Sequence, residues 1–354
     1  MIHSHNINAI TIDPGDQPVL PEDDGLQITD FRKGDFEWWY FDVFDQFTGC
    51  FLKIVLHIGT DPLRTRVFPQ LAISINTPEK SENLILSFKL SELKADTRLC
   101  DISVDDKIRI WTSRDYPSLY SISVNIPRFR CNFRFENTTE GWKPTGYKTS
   151  YQSGKKRSEF YWVIPQPNAT VTGEFFFENK SYKLTGANGY HDHNYLKVDR
   201  EHPLYLDDLA DKWYWGKCHA GRFTMIFTDV HFKHSRSQAI MVAENNKIIN
   251  CLYSLAECSV KENGYDQTLR TEYPKSFIIR SLDEHFPFKA EFEFEKILDR
   301  KDLLEGVNPA LKFLIKKLIA KPAYHGIFCK VLLEINTEYV EGYGNFESMV
   351  FRGK

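Results

Sequence analysis

Long hydrophobic runs are missing from this sequence of 354 residues. No stretch approaches the roughly 18 consecutive apolar residues of a membrane-spanning helix. Charge of one sign is lacking too: 45 Lys and Arg stand against 48 Asp and Glu, a net of -3. That balance excludes a strongly basic protein whose affinity rests on neutralising phosphates, so no nucleic-acid partner is expected. Cysteine is present but unpatterned. The seven cysteines (Cys50, Cys100, Cys131, Cys218, Cys251, Cys258 and Cys329) are odd in number, widely spaced and without a C-x-x-C pair. A disulfide framework shows an even count in a short secreted chain. The stretch Met1–Leu20 has neither the basic nor the apolar region of a secretory signal. A soluble, cytoplasmic protein is expected, in which the sequons at Asn137, Asn168 and Asn179 are chance matches.

Catalytic signatures are also scarce. The chain has no G-x-G-x-x-G, no P-loop, no G-x-S-x-G elbow and no H-E-x-x-H. Nucleotide cofactors and serine hydrolysis therefore lack support. The run Asp207-Asp208-Leu209-Ala210-Asp211 matches the D-D-x-x-D diphosphate motif of all-α terpene synthases. It falls between strands rather than on a helix, so it reads as a chance match in an acidic loop.

Aromatic residues are abundant: 27 Phe, 17 Tyr and 7 Trp make 14% of the chain. Rings suit a pleated, half-buried surface, and alternation with period two runs through most of the sequence. In Phe288–Glu295 the apolar and polar faces separate cleanly, as in an antiparallel sheet with one wet face. Strands are expected at, among others, Glu37–Phe44, Glu159–Ile164, Thr170–Glu178, Ser181–Thr185, Gly189–Asn194 and Trp213–His219, with a loop at Trp142–Gly154. The fold class is all-β, two antiparallel β-barrel or sandwich domains. Pro165-Gln166-Pro167 marks the boundary, because two prolines break pairing and restrict their neighbours, giving domains 1–167 and 168–354. One helix is expected near 309–321, with Asn308 as cap, Pro309 in the first turn and a stripe of Leu311, Leu314, Ile315 and Leu318. Its lysines can touch an anionic membrane, or the helix can be a lid on a barrel.

Three clusters carry chemistry. In Glu37-Trp38-Trp39-Tyr40-Phe41-Asp42, adjacent strand residues face opposite ways, so one tryptophan lines a pocket while the other packs elsewhere. In Gly189-Tyr190-His191-Asp192-His193-Asn194, alternation puts Tyr190, Asp192 and Asn194 on one face, His191 and His193 on the other. With the first face inward, an Asp beside a phenol and an amide is desolvated, which keeps it protonated and able to give a proton. With the second face inward, two imidazoles can bind a metal together with His219 or His231. A hydrogen-bonded turn without chemistry is the third reading. In Trp213-Tyr214-Trp215-Gly216, Trp213 and Trp215 share a face and form an aromatic wall for a cation or a polyene, or a buried pair. Phe160 and Trp162 extend such a wall.

These clusters, with Phe160–Pro165 and the tail Gly342–Glu347, occur in an order that resembles the carotenoid 1,2-hydratase (hydroxyneurosporene synthase) and AttH-like superfamily. The fungal decalin-forming Diels–Alderases look like relatives and tocopherol cyclase a more distant one. The resemblance covers roughly residues 25 to 350, and its most specific piece is Gly186–Asn194 followed by Trp213-x-Trp215-Gly216. It implies two lipocalin-like domains, an apolar pocket, and chemistry on greasy polyenes without metal or redox cofactor. In the hydratases the aspartate of this segment is the proton donor, which maps onto Asp192, with Tyr190 and Trp162 as pocket residues. Two departures stand out. Asn194-Tyr195-Leu196 replaces the usual Asn-x-Gly, and Phe160 stands where the hydratases place a His. Losing a group that positions water favours cyclisation over hydration.

The expected protein is thus an enzyme of isoprenoid or polyene metabolism, a monomer or dimer, whose partner is a hydrophobic small molecule. Asp192 is the acid, and Tyr190 and Asn194 orient it. Trp38, Trp39, Tyr40, Phe160, Trp162, Trp213, Trp215, His191 and His193 complete the substrate site. A pericyclase that folds a linear polyene and a non-catalytic lipid or pigment carrier are the alternatives.

Overall fold

The computed structural model describes residues 9–12, 18–60, 66–144, 148–205, 210–232, 235–304 and 321–351. Its strands form two antiparallel sheets in chain order. The first sheet begins with β1 (Ala9–Ile12), β2 (Phe36–Asp45), β3 (Cys50–Thr60), β4 (Val67–Asn76) and β5 (Ser81–Ser87). It continues with β6 (Leu93–Ala95), β7 (Asp101–Val104), β8 (Ile108–Trp111), β9 (Leu119–Ile126) and β10 (Phe129–Asn137). Then come β11 (Lys148–Ser153), β12 (Lys156–Phe177) and β13 (Lys180–Val198). Its order is β5-β4-β3-β2-β13-β12-β10-β9-β8-β7-β6, with β1 and β11 off this path.

The second sheet opens with β14 (Lys212–Ala220), β15 (Phe223–His231), β16 (Arg236–Glu244) and β17 (Lys247–Tyr253). It ends with β18 (Ala256–Asp266), β19 (Thr271–Ser281), β20 (Phe288–Asp302), β21 (Ala323–Ile335) and β22 (Glu338–Val350). The order is β17-β16-β15-β14-β22-β21-β20-β19-β18. The all-β class expected from the sequence is the class observed.

The chain divides into two compact units, whose limits cut across β1, β11 and the start of β12. The first holds Thr11–Ser150 with Arg157–Pro203, the second Met1–Ile10, Tyr151–Lys156 and Leu204–Lys354. Each has its own apolar core. In the first, Phe41, Leu52, Ile54, Ile73 and Phe135 interdigitate. In the second, Phe227, Phe277, Phe292 and Phe346 pack ring on ring, Phe277 and Phe346 with centroids 4.8 Å apart.

Pro165 and Pro167 do not end a strand, contrary to the reasoning from sequence. β12 runs through them for 22 residues. Its register against β13 shifts between Val163 and Gln166, and again between Gln166 and Ala169. A bulge of this kind leaves positions where the ladder asks for no N–H, and that is where proline is tolerated within a sheet. The segments expected at Ser181–Thr185 and Gly189–Asn194 are likewise one strand, β13. The helix expected at 309–321 falls, apart from Lys321, outside the described residues, as do Asp207 and Asp208. No helix among the described residues is long and apolar enough to cross a membrane.

Burial separates two kinds of strand. β10 alternates buried and exposed residues along its length, as a half-wet strand does. By contrast β13 is buried at every position from Gly189 to Leu196, and β2 is buried almost throughout. A strand covered on both faces must pair every polar side chain it carries, and these two strands carry Glu37, Asp42, Asp45, His191, Asp192 and His193, all buried.

Candidate active site

The chemistry gathers where β2, β13 and β12 run side by side. In register, Asn194 lies opposite Trp38 and Trp162, Asp192 opposite Tyr40, and Tyr190 opposite Asp42. Strand alternation places all seven on one face. Gly189 makes the close approach of these strands affordable: a Cβ there would meet Val171 Cγ2 at 2.4 Å and Phe135 Cε1 at 2.8 Å.

Three donors converge on Asp192, which is 5% exposed. Tyr190 Oη donates to Oδ2 at 2.8 Å and Trp162 Nε1 donates to the same oxygen at 3.0 Å. Asn194 Nδ2 donates to Oδ1 at 2.8 Å. A second carboxylate lies nearby, since Tyr40 Oη donates to Asp42 Oδ2 at 3.2 Å and the rings of Tyr40 and Tyr190 meet edge-on at 5.9 Å. Lys53 of β3 is buried and pairs in register with Asp42. Burial, then the charge of Asp192 and the hydrogen bond to it, push the Tyr190 phenol well above its ordinary value. Tyr190 therefore keeps its proton and remains a donor near neutral pH.

Aromatic rings border this polar centre. Trp38 is half-buried and stacks on Phe36 with centroids 4.7 Å apart, and Phe160 and His57 lie 6.4 and 6.3 Å from Phe36. On the other side of the centre, Trp142 meets Trp162 edge-on at 5.6 Å. This face thus joins two buried carboxyls, Asp192 and Asp42, to a border of aromatic rings.

His191, His193 and Trp39 point the other way, into the core of the first unit. His191 stacks on Phe41 at 3.9 Å, and its Nε2 and Nδ1 engage Asp24 Oδ2 and the Tyr40 carbonyl at 2.9 and 3.0 Å. His193 stacks on Trp39 at 4.6 Å, with Nε2 on Glu37 Oε1 and Nδ1 on the Asp23 carbonyl, both at 2.9 Å. Both ring nitrogens of each histidine are thus engaged, and neither side chain is exposed. Trp39 Nε1 donates to the Asp24 carbonyl at 3.0 Å and is held in the same way. His219 and His231, considered with them as metal ligands, belong to the second unit and engage Thr224 and Asp229. Asp24, Cys100 and His191 bring a carboxylate, a thiol and an imidazole within 4.8 Å. Burial, then the Asp24 charge, pushes the Cys100 thiol well above its ordinary value.

Trp213 and Trp215 also belong to the second unit. They lie on the face of β14 opposite to its core residues Tyr214 and Cys218, with Trp215 paired in register with Glu347. Reasoning from sequence missed Asp42, Asp24 and Trp142. Asp42 was findable, because it shares parity with Trp38 and Tyr40. Asp24 and Trp142 come from segments with no periodic signal.

No family model matches the sequence. A curated relative, the quinolone epoxide rearrangement protein asqO of Emericella nidulans, is 23% identical over 137 residues. That match covers 38% of this chain and 32% of the relative, so the chain spans about a third of the relative's length. Among solved structures, CghA with Sch210972 aligns at a TM-score of 0.61 and 13% identity, over 98% of this chain and 100% of that one. An AttH-type protein of Nitrosomonas europaea aligns at 0.64 and 14%, over 96% and 98%. Kievitone hydratase of Nectria haematococca aligns at 0.56 and 13%, over 90% and 89%. The chain has the AttH-like fold, which CghA and kievitone hydratase share.

Proposed function

We propose that this protein is a non-redox enzyme that rearranges or hydrates a hydrophobic, unsaturated small molecule by proton transfer at Asp192. The observation that carries this reading is the buried Asp192 carboxyl, held by Tyr190, Trp162 and Asn194 beside the Trp38 and Phe36 rings. The names of the similar proteins agree with it in kind: one is a hydratase and one acts in an epoxide rearrangement. Neither name denotes a redox reaction.

In this reading the acid form of Asp192 adds its proton to one carbon of a double bond, and the other carbon becomes cationic. The ring faces of Trp38, Tyr40 and Trp162 stabilise that charge. An internal double bond captures the cation, and loss of a neighbouring proton to the Asp192 carboxylate gives a ring and restores the acid. Capture by water instead gives an alcohol and releases the proton. When Asp192 is protonated its single O–H points at the substrate, and its remaining lone pairs still accept from Tyr190, Trp162 and Asn194. Exclusion of bulk water protects the cation.

One observation favours a second reading. Three donors on Asp192 stabilise negative charge there, which suits a carboxylate that only orients substrate while a polyene closes pericyclically. Mass spectrometry in D2O separates the two. Wild type and Asp192→Asn meet a panel of acyclic isoprenoids and polyenes. An isomeric product with one carbon-bound deuterium, lost in the variant, supports proton-initiated cyclisation, and a gain of the mass of water supports hydration. An undeuterated isomer still formed by the variant overturns the acid mechanism in favour of the pericyclic one. Tight binding without turnover of any panel member favours a carrier.

A further inference from the structure

Trp142 is held firmly beside the site yet leaves one buried polar atom unanswered. Its backbone exchanges two hydrogen bonds with Ile164 of β12, each 2.9 Å. The next residue, Lys143, is buried and forms an ion pair with Asp23. The indole ring is 3% exposed and packs edge-on against Trp162, the residue that donates to Asp192. Its Nε1 is buried with no acceptor among the described residues. An indole N–H can only donate, and leaving such a donor buried and unpaired is costly and rare. The two backbone bonds and the Lys143–Asp23 pair fix the backbone that carries the ring.

We infer that Trp142 Nε1 donates to an oxygen atom of the bound substrate. The inference rests on the Asp192 face being the substrate site and deepens it. The substrate is then an oxygenated polyene or isoprenoid, carrying a hydroxyl, carbonyl or ether, rather than a plain hydrocarbon. Its oxygen lies against Trp142 while its unsaturated carbons lie against Trp162 and Asp192. Trp142 acts as a specificity residue, because a donor built into a dry site rejects the analogue that lacks the acceptor.

Farnesol and farnesene, a matched pair with and without oxygen, test this on the 354-residue chain labelled with 15N at the indole nitrogens. The chain has seven tryptophans, and the indole signal absent from Trp142→Phe belongs to Trp142. Should that variant fail to fold, contacts of the indole proton with Ile164 and Trp162 identify the same signal. The expected result is a downfield shift of the Trp142 signal with farnesol and not with farnesene. Trp142→Phe then binds farnesol about tenfold more weakly, and farnesene within about twofold of wild type. A Trp142 signal that stays still while farnesol moves the Trp38 or Trp162 signals overturns the inference and leaves the site standing. It would mean that the N–H is spent on the Trp162 ring face. If neither compound moves any indole signal, the apolar site fails, and this inference with it.

Discussion

Tyr190 gives its only proton to Asp192, Oη to Oδ2 at 2.8 Å, from two positions along the same strand. Because burial and the Asp192 charge raise the phenol's affinity for that proton, the pair behaves as one unit near neutral pH. Asp192→Asn is expected to lower kcat by at least about 100-fold, the usual scale of a lost general acid. Tyr190→Phe should cost about tenfold, since it removes orientation but leaves Trp162 and Asn194 in place. Steady-state kinetics on the substrate found by the D2O assay checks both. Equal losses from the two variants would show that the transfer needs the phenol as much as the carboxyl.

The pH profile tests the direction of transfer. If Asp192 delivers the proton, kcat rises as pH falls from about 8 to about 5, because the acid form grows as pH approaches the carboxyl range. Tyr190 adds no alkaline limb in this window, since its shift is upward from an ordinary value near 10. A rate that stays level across the window fits the pericyclic reading, and one that falls toward acid assigns Asp192 the role of base.

Behind the site, His193 and Glu37 form an ion pair with neither side chain exposed. Burial lowers the imidazole's proton affinity. The hydrogen bond and charge of Glu37, then the charge of Asp24, outweigh it and leave His193 above its ordinary value. The sign follows from linkage. A histidine raised in the folded state contributes stability that is full below the unfolded value, near 6.5, and is lost as pH rises through the higher folded value. Wild type should therefore unfold at higher denaturant at about pH 6 than at about pH 9. His193→Gln should lose that difference and about 3 kcal/mol at the lower pH, because it strands a buried carboxylate. Urea melts at the two pH values measure this. A variant that keeps the full pH difference would place its origin elsewhere.

Much of this arrangement was legible in the sequence, and the limits have physical causes. Alternation along Tyr190–Asn194 and Trp38–Asp42 sorted the two faces, because side chains on a strand have a strict period of two. It could not say which face meets the core. Both faces of β13 are buried, and hydrophobicity, the usual guide, separates them poorly when an aspartate holds one face and two histidines the other. Asp24 and Trp142 were illegible because their roles depend on long-range pairing, with His191 and with Ile164. The two prolines misled for a related reason. They forbid a regular ladder but not a bulged one, and whether a bulge forms depends on the partner strand.

The half-buried Trp38 offers a test of the aromatic border. It stacks on Phe36 and faces Asn194 in register. Trp38→Leu keeps apolar bulk but removes the π-face. Stability should change by about 1 kcal/mol or less, while kcat falls about tenfold if a cation is formed there. Trp38→Phe should recover most of the loss. Equal activity in the Leu and Phe variants would show that the ring fills space without stabilising charge.

Gly189 tests whether strand spacing governs the geometry of Tyr190 and Asp192. A methyl group at Gly189 would meet Val171 Cγ2 at 2.4 Å and Phe135 Cε1 at 2.8 Å. Both neighbours are fully buried, so neither can swing into solvent. Gly189→Ala is expected to destabilise by about 1–3 kcal/mol through overpacking and to lower kcat by displacing the adjacent Tyr190. Val171→Ala alone opens a small void and also destabilises, yet it removes the atom that the new methyl group strikes. The two changes are therefore expected to couple favourably, the double variant being at least about 1 kcal/mol more stable than the sum of the single effects predicts. Recovery of activity alongside stability would tie the site's geometry to the β12–β13 spacing. Additive losses would mean that the methyl group is relieved by a shift of Phe135 instead.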